Sequence, residues 1–62
     1  MSDRIGILIV DDQRLFADGL RVVIESRAPQ FEVVGAAYNG VQAISMVREY
    51  RPDIVLMDVR MP

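Results

Sequence analysis

Two short apolar runs in this chain each pass directly into acids: Ile7-Leu8-Ile9-Val10 into Asp11-Asp12, and Ile54-Val55-Leu56-Met57 into Asp58. An unbroken apolar run of this length, bounded by polar residues, is the pattern of a strand covered on both faces, as in a parallel sheet between helices. Parallel strands point the same way, so their last residues share one edge of the sheet. Few folds satisfy that constraint and still bury both runs.

The segments between the runs read as crossovers. Phe16, Leu20, Val23 and Ile24 fall on one helical stripe, with Arg14, Asp18, Arg21 and Glu25 off it. Ala28-Pro29 ends that helix, because the residue before a proline disfavours helical geometry. Glu32 to Ala37 is a second strand. Asn39-Gly40-Val41-Gln42 resembles a helix start, with Asn39 as N-cap and Gln42 three residues on. Val41, Ile44, Val47 and Tyr50 form the next apolar stripe, Arg51-Pro52 closes it, and Asp53 to Met57 is the third strand. Gly6 weakens the start of the first strand, and Met61-Pro62 opens a loop.

The order β-α-β-α-β, with crossovers of this length and right-handed connections, gives parallel strands. Strand order 2-1-3 puts the helices on opposite faces and a topological switch between strands 1 and 3, where open α/β sheets bind ligands. The expected class is α/β, the βαβαβ half of a flavodoxin-like doubly wound sheet. Asp11, Asp12 and Asp58 all stand at that switch.

Sixty-two residues make one small unit, and a chain this short buries only about 60% of the surface exposed on unfolding. It has no Cys for disulfides and no His to complete a zinc site, yet is 52% hydrophobic. Such a composition suits part of a larger α/β unit. Net charge is −2 and the seven basic residues, all Arg, are scattered, which leaves no footprint for nucleic acid. No apolar stretch approaches a membrane span, and the N-terminus lacks a secretory pattern, so a cytoplasmic location is expected. No internal repeat or flexible linker is evident.

Neighbouring strands lie about 4.8 Å apart, so carboxylates leaving strands 1 and 3 come within one metal-coordination shell. Ionised together they repel unless a divalent cation joins them. Magnesium is hard, prefers oxygen ligands and keeps waters, and it commonly uses one or two carboxylates with a phosphate oxygen. Asp58 could then attack phosphorus as a carboxylate nucleophile.

The doublet Asp11-Asp12 after Ile-Leu-Ile-Val, with Pro52 to Pro62 (Pro-Asp-Ile-Val-Leu-Met-Asp-Val-Arg-Met-Pro), resembles the receiver domain of bacterial two-component response regulators. Val10 to Leu20 resembles more narrowly the subfamily with a LuxR/NarL-type output domain. The resemblance implies Asp58 as phosphoacceptor, Asp12 as a direct Mg2+ ligand and Asp11 acting through water. It also implies the main-chain carbonyl of Arg60 as a further ligand. A sensor histidine kinase would supply the phosphoryl group, and DNA would be reached only through an output domain. The family also uses a Thr or Ser after a fourth strand and a Lys after a fifth. Residues 1–62 would thus be a partial receiver ending after strand 3, a signalling module rather than an enzyme.

Plainer roles exist for the same residues. Asp12 is suited to capping the first helix, and Asp58 to an ordinary turn. Asp53 reads as solvated, Phe16, Leu20, Ile44 and Val47 as core, and the Arg60 side chain as either solvated or overhanging the acceptor. A magnesium-dependent aspartyl phosphatase of the haloacid-dehalogenase type is a competing class, but its Asp-x-Asp pattern is not met by Asp11-Asp12-Gln13. A third reading is a non-signalling fragment that forms homo-oligomers through the outer edge of strand 3, Ile54 to Met57.

Overall fold

A computed structural model describes residues 4–58. Strand β1 (Ile5–Val10) leads through a three-residue loop to helix α1 (Arg14–Arg27), then come β2 (Phe31–Ala37), helix α2 (Gly40–Tyr50) and β3 (Ile54–Met57). The strands form one sheet in the order β2-β1-β3, with β1 parallel to both neighbours. This is the α/β arrangement expected from the apolar runs. β2 begins one residue earlier than the sequence suggests, because the Phe31 N–H is anchored to the Ala28 carbonyl at 2.9 Å. β3 begins one residue later.

Central position makes β1 the core: Ile7, Leu8, Ile9 and Val10 are buried. Its alternation splits them between two faces. Ile7 and Ile9 join Ala17 and Val33 on the α1 face, with Leu20, Ile24, Ala36 and Tyr38 packed around them. Leu8 and Val10 join Ala37 and Ala43 on the α2 face, with Met46 beside them.

β2 reaches both faces through a bulge. Ile7 pairs with Val33 but Leu8 pairs with Gly35, so Val34 is an extra residue opposite β1. An extra residue inverts the alternation that follows it. Val33 therefore packs with α1, Ala37 packs with α2, and Ala36 and Tyr38 return to the α1 face.

The helix ends show local chemistry. Asn39 caps α2, its Oδ1 accepting from the Gln42 N–H at 2.8 Å, while Gln42 Oε1 accepts from the Tyr38 N–H at 2.8 Å. The reciprocal bond thus lands one residue before the cap. α2 stops at Arg51, which adopts the left-handed conformation (φ 48°, ψ 59°) and donates its N–H to the Val47 carbonyl at 2.9 Å.

Some side chains depart from their expected places. Ala17 and Ala43 are the buried residues of the helices, while Phe16, Ile44 and Val47 are exposed. Small residues let the helices approach β1 and β2, and the larger ones flank that contact and overlook β3. Asp53 is solvent-exposed but not idle. Its Oδ2 accepts from the Gly6 N–H at 2.7 Å and its own N–H donates to the Gly6 carbonyl at 2.8 Å, tying the entry of β3 to β1.

Candidate phosphoacceptor site

The site is assembled by strand register. Val10 lies opposite Met57, so the next residues, Asp11 and Asp58, leave the sheet at the same level. Backbone bonds continue past both strands: Asp11 N–H donates to the Ala37 carbonyl and Asp58 N–H to the Val10 carbonyl, each at 3.0 Å. The two acids are therefore held by the sheet itself and not by a loose loop.

Asp12 completes the group. One carboxylate oxygen from each of Asp11, Asp12 and Asp58 lies within 4.8 Å of the other two. Asp11 is buried, Asp58 half-buried and Asp12 exposed, so the cluster opens to solvent on one side. Asp11 Oδ1 accepts the Gln13 N–H at 2.9 Å, an Asx-type turn that leads the chain from β1 into α1. That bond corrects the capping role considered for Asp12. The N-cap of α1 is Gln13, with no side-chain cap bond, and Asp12 is left to face the cluster.

Three carboxylates this close can share a single cation. The donor set is hard oxygen alone, with no thiolate or imidazole, and so fits Mg2+ or Ca2+ better than a softer metal. Arg21 pairs with Glu25 at 3.7 Å along α1 and not with these acids. Beside the acids runs an open groove of about 300 Å³ lined by Ile9, Val10, Phe16, Leu20, Leu56 and Met57 together with Asp11 and Asp58. The Arg60 carbonyl, the Arg60 side chain and Met61-Pro62 lie outside the described residues.

One pair near the acids escaped the sequence reading. The Arg14 guanidinium lies over the Tyr38 ring, 4.5 Å from its centroid. Arg14 opens α1 and Tyr38 follows β2, so both stand at the carboxyl edge. The pairing depends on the bulge at Val34, for which Gly35 within the strand is the one signal in the sequence.

Residues 7–62 match the model of the response regulator receiver domain. The transcriptional regulatory protein DegU of Brevibacillus brevis is 40% identical over 61 residues, covering 98% of this chain and 25% of that protein. The chemotaxis protein CheY of Halobacterium salinarum is 43% identical over 56 residues, covering 90% of this chain and 44% of that one. The crystal structure of the response regulator domain of Thermotoga maritima CheB superposes with a TM-score of 0.86 at 37% identity, covering 95% of this chain and 43% of that one. In these three comparisons the chain spans less than half the length of the relative. With the strand order, the acid-tipped strands and these matches in agreement, the chain belongs to the response regulator receiver domain family.

Proposed function

We propose that Asp58 is the phosphoacceptor of a magnesium-dependent receiver site in which Asp11 and Asp12 hold the cation. The observation that carries this reading is the convergence of three carboxylate oxygens within 4.8 Å at the end of β1 and β3. Asp12, exposed, suits a direct ligand. Asp11, with one oxygen engaged by the Gln13 N–H, suits a contact through water, and the Arg60 carbonyl is the remaining candidate ligand. Bound there, Mg2+ would offset the carboxylate charges and stabilise the oxygens of the group in transfer.

In the transfer, an Asp58 carboxylate oxygen forms a bond to phosphorus while the bond from phosphorus to the donor's leaving atom breaks. The product is an aspartyl phosphate. With a phosphohistidine donor the leaving group is an imidazole nitrogen, which takes a proton; with acetyl phosphate it is acetate. A sensor histidine kinase is the expected donor, and a cytoplasmic location is expected for the receiver. The similarity to the transcriptional regulatory protein DegU favours transcription control, for which we expect an output domain of the LuxR/NarL kind, whereas the similarity to the chemotaxis protein CheY favours a chemotaxis-type role. No helix among the described residues is long and apolar enough to cross a membrane.

Incubation with acetyl phosphate and Mg2+ tests the site. Intact mass spectrometry is expected to show one phosphoryl adduct on the wild-type chain and none on Asp58→Asn or after chelation of the metal. An adduct that persists in Asp58→Asn removes Asp58 from the role.

A second reading concerns the 62-residue chain studied alone. Every residue of β3 is at least 38% exposed, and among the described residues no strand pairs with its outer edge. An apolar edge of this kind is a template for strand addition, so association with a second copy through β3 is expected. A single monomeric species in sedimentation at micromolar concentration would contradict it.

A further inference from the structure

We propose that Arg14, held on the ring of Tyr38, is a positioning residue that fixes a positive charge at the rim of the carboxylate site. There it favours approach of an anionic phosphoryl donor and weakens the hold on Mg2+. This deepens the phosphoacceptor reading and rests on it.

The placement of Arg14 is not explained by helix stability. It is the first residue of α1, whose first turn contains no acid. A cation at that end opposes the helix dipole. The offsetting interaction is the stack on Tyr38, 4.5 Å from the ring centroid, of a kind that stabilises exposed Arg–aromatic pairs modestly. Tyr38 is itself anchored, its N–H donating to Gln42 Oε1 at 2.8 Å. It packs on the α1 face only because the bulge between Val33 and Gly35 inverts β2. Bulge, anchor and stack together hold the guanidinium where a flexible side chain would otherwise wander.

That position is beside the acids. Tyr38 follows Ala37, whose carbonyl accepts the Asp11 N–H at 3.0 Å, while Asp58 flanks Val10 on the opposite side. Arg14 follows Asp11 by three residues, and the backbone at Tyr38 lies one strand spacing from the end of β1 and two from the end of β3, roughly 5 and 10 Å. The longer of these distances is about one Debye length at physiological salt, so the charge is felt at low ionic strength and screened at high. A charge acting through mostly aqueous surroundings over about 10 Å changes the approach of a monovalent ion about twofold and of a divalent ion about fourfold. The two effects have opposite signs: an anionic donor gains what Mg2+ loses.

Opposite signs separate this role from a structural one. At low salt, Arg14→Gln is expected to tighten Mg2+ binding about fourfold by calorimetry while slowing labelling by acetyl phosphate, a dianion at neutral pH, by a similar factor. Arg14→Lys should retain the wild-type behaviour, and Tyr38→Leu, which releases the guanidinium, should fall between wild type and Arg14→Gln. Both differences should vanish at about 1 M salt. Unchanged Mg2+ affinity in Arg14→Gln, or both quantities moving in the same direction, would overturn the proposal. A wild-type chain that takes no phosphoryl group defeats the phosphoacceptor reading instead, and the Mg2+ measurement still judges Arg14.

Discussion

The two flanks of β1 are built from similar apolar strands, yet they are finished differently. On one side β2 is seven residues long and buries Val33 and Ala37. Its N–H groups at Phe31 and Val33, and that of the adjoining Tyr38, are taken by the Ala28 carbonyl, Glu25 Oε2 and Gln42 Oε1. On the other side β3 has four residues, all exposed, although each is paired with β1. The helices pack on β1 and β2, and neither packs closely on β3. Burial is thus set by where the helices lie and not by the hydrophobicity of the strand. The acids touch both flanks: Asp11, at the end of central β1, donates its N–H to Ala37 of β2, and Asp58 leaves β3.

Core truncations should show the contrast most strongly. Leu8→Ala, at a fully buried position of β1, is expected to cost about 2–5 kcal/mol, and Leu56→Ala on β3 less than about 1 kcal/mol. Equal losses in urea denaturation would mean that β3 is as buried as β1 and would erase the contrast. Loss of the α2 cap comes next. Asn39→Ala should cost about 1 kcal/mol, because the Gln42 N–H loses its acceptor. On the β2 edge, Glu25→Ala should cost about 0.5–1 kcal/mol and speed hydrogen exchange of the Val33 amide, since that bond is long at 3.3 Å and partly exposed. The smallest effect should be a gain: Arg51→Gly relieves the left-handed residue before β3 and is expected to stabilise by about 0.5 kcal/mol, partly offset by the added entropy of the unfolded chain. A loss on that substitution would show that the Arg51 side chain contributes more than its backbone costs.

Much of this was legible in the residues. The gathering of the carboxylates follows from two apolar runs that end in acids, because parallel strands place their ends on one edge; the order 2-1-3 was supposed for those strands, and the sheet has it. Asn39 and Gln42 announced a helix start through their spacing. Other features depend on tertiary placement. Gly35 inside Glu-Val-Val-Gly-Ala-Ala is a pointer to a bulge, but it does not say which residue is extra, and the meeting of Arg14 and Tyr38 stayed hidden. Phe16, Ile44 and Val47 were expected in the core by their position on the apolar stripes of the helices. The faces actually buried centre on Ala17 and Ala43, whose small size permits close approach. Asp53 carries its function through one bond to a backbone 47 positions away, which no local pattern encodes.

The central claim is that the three acids form one cation site, and Mg2+ titration of the isotopically labelled chain followed by amide NMR tests it most directly. Saturable shifts confined to Asp11, Asp12, Gln13 and Asp58 and their neighbours are expected, strongly weakened in Asp12→Asn and unchanged in Asp53→Asn. Weak, unsaturable shifts spread equally over Asp18, Glu32 and Asp53 would contradict it.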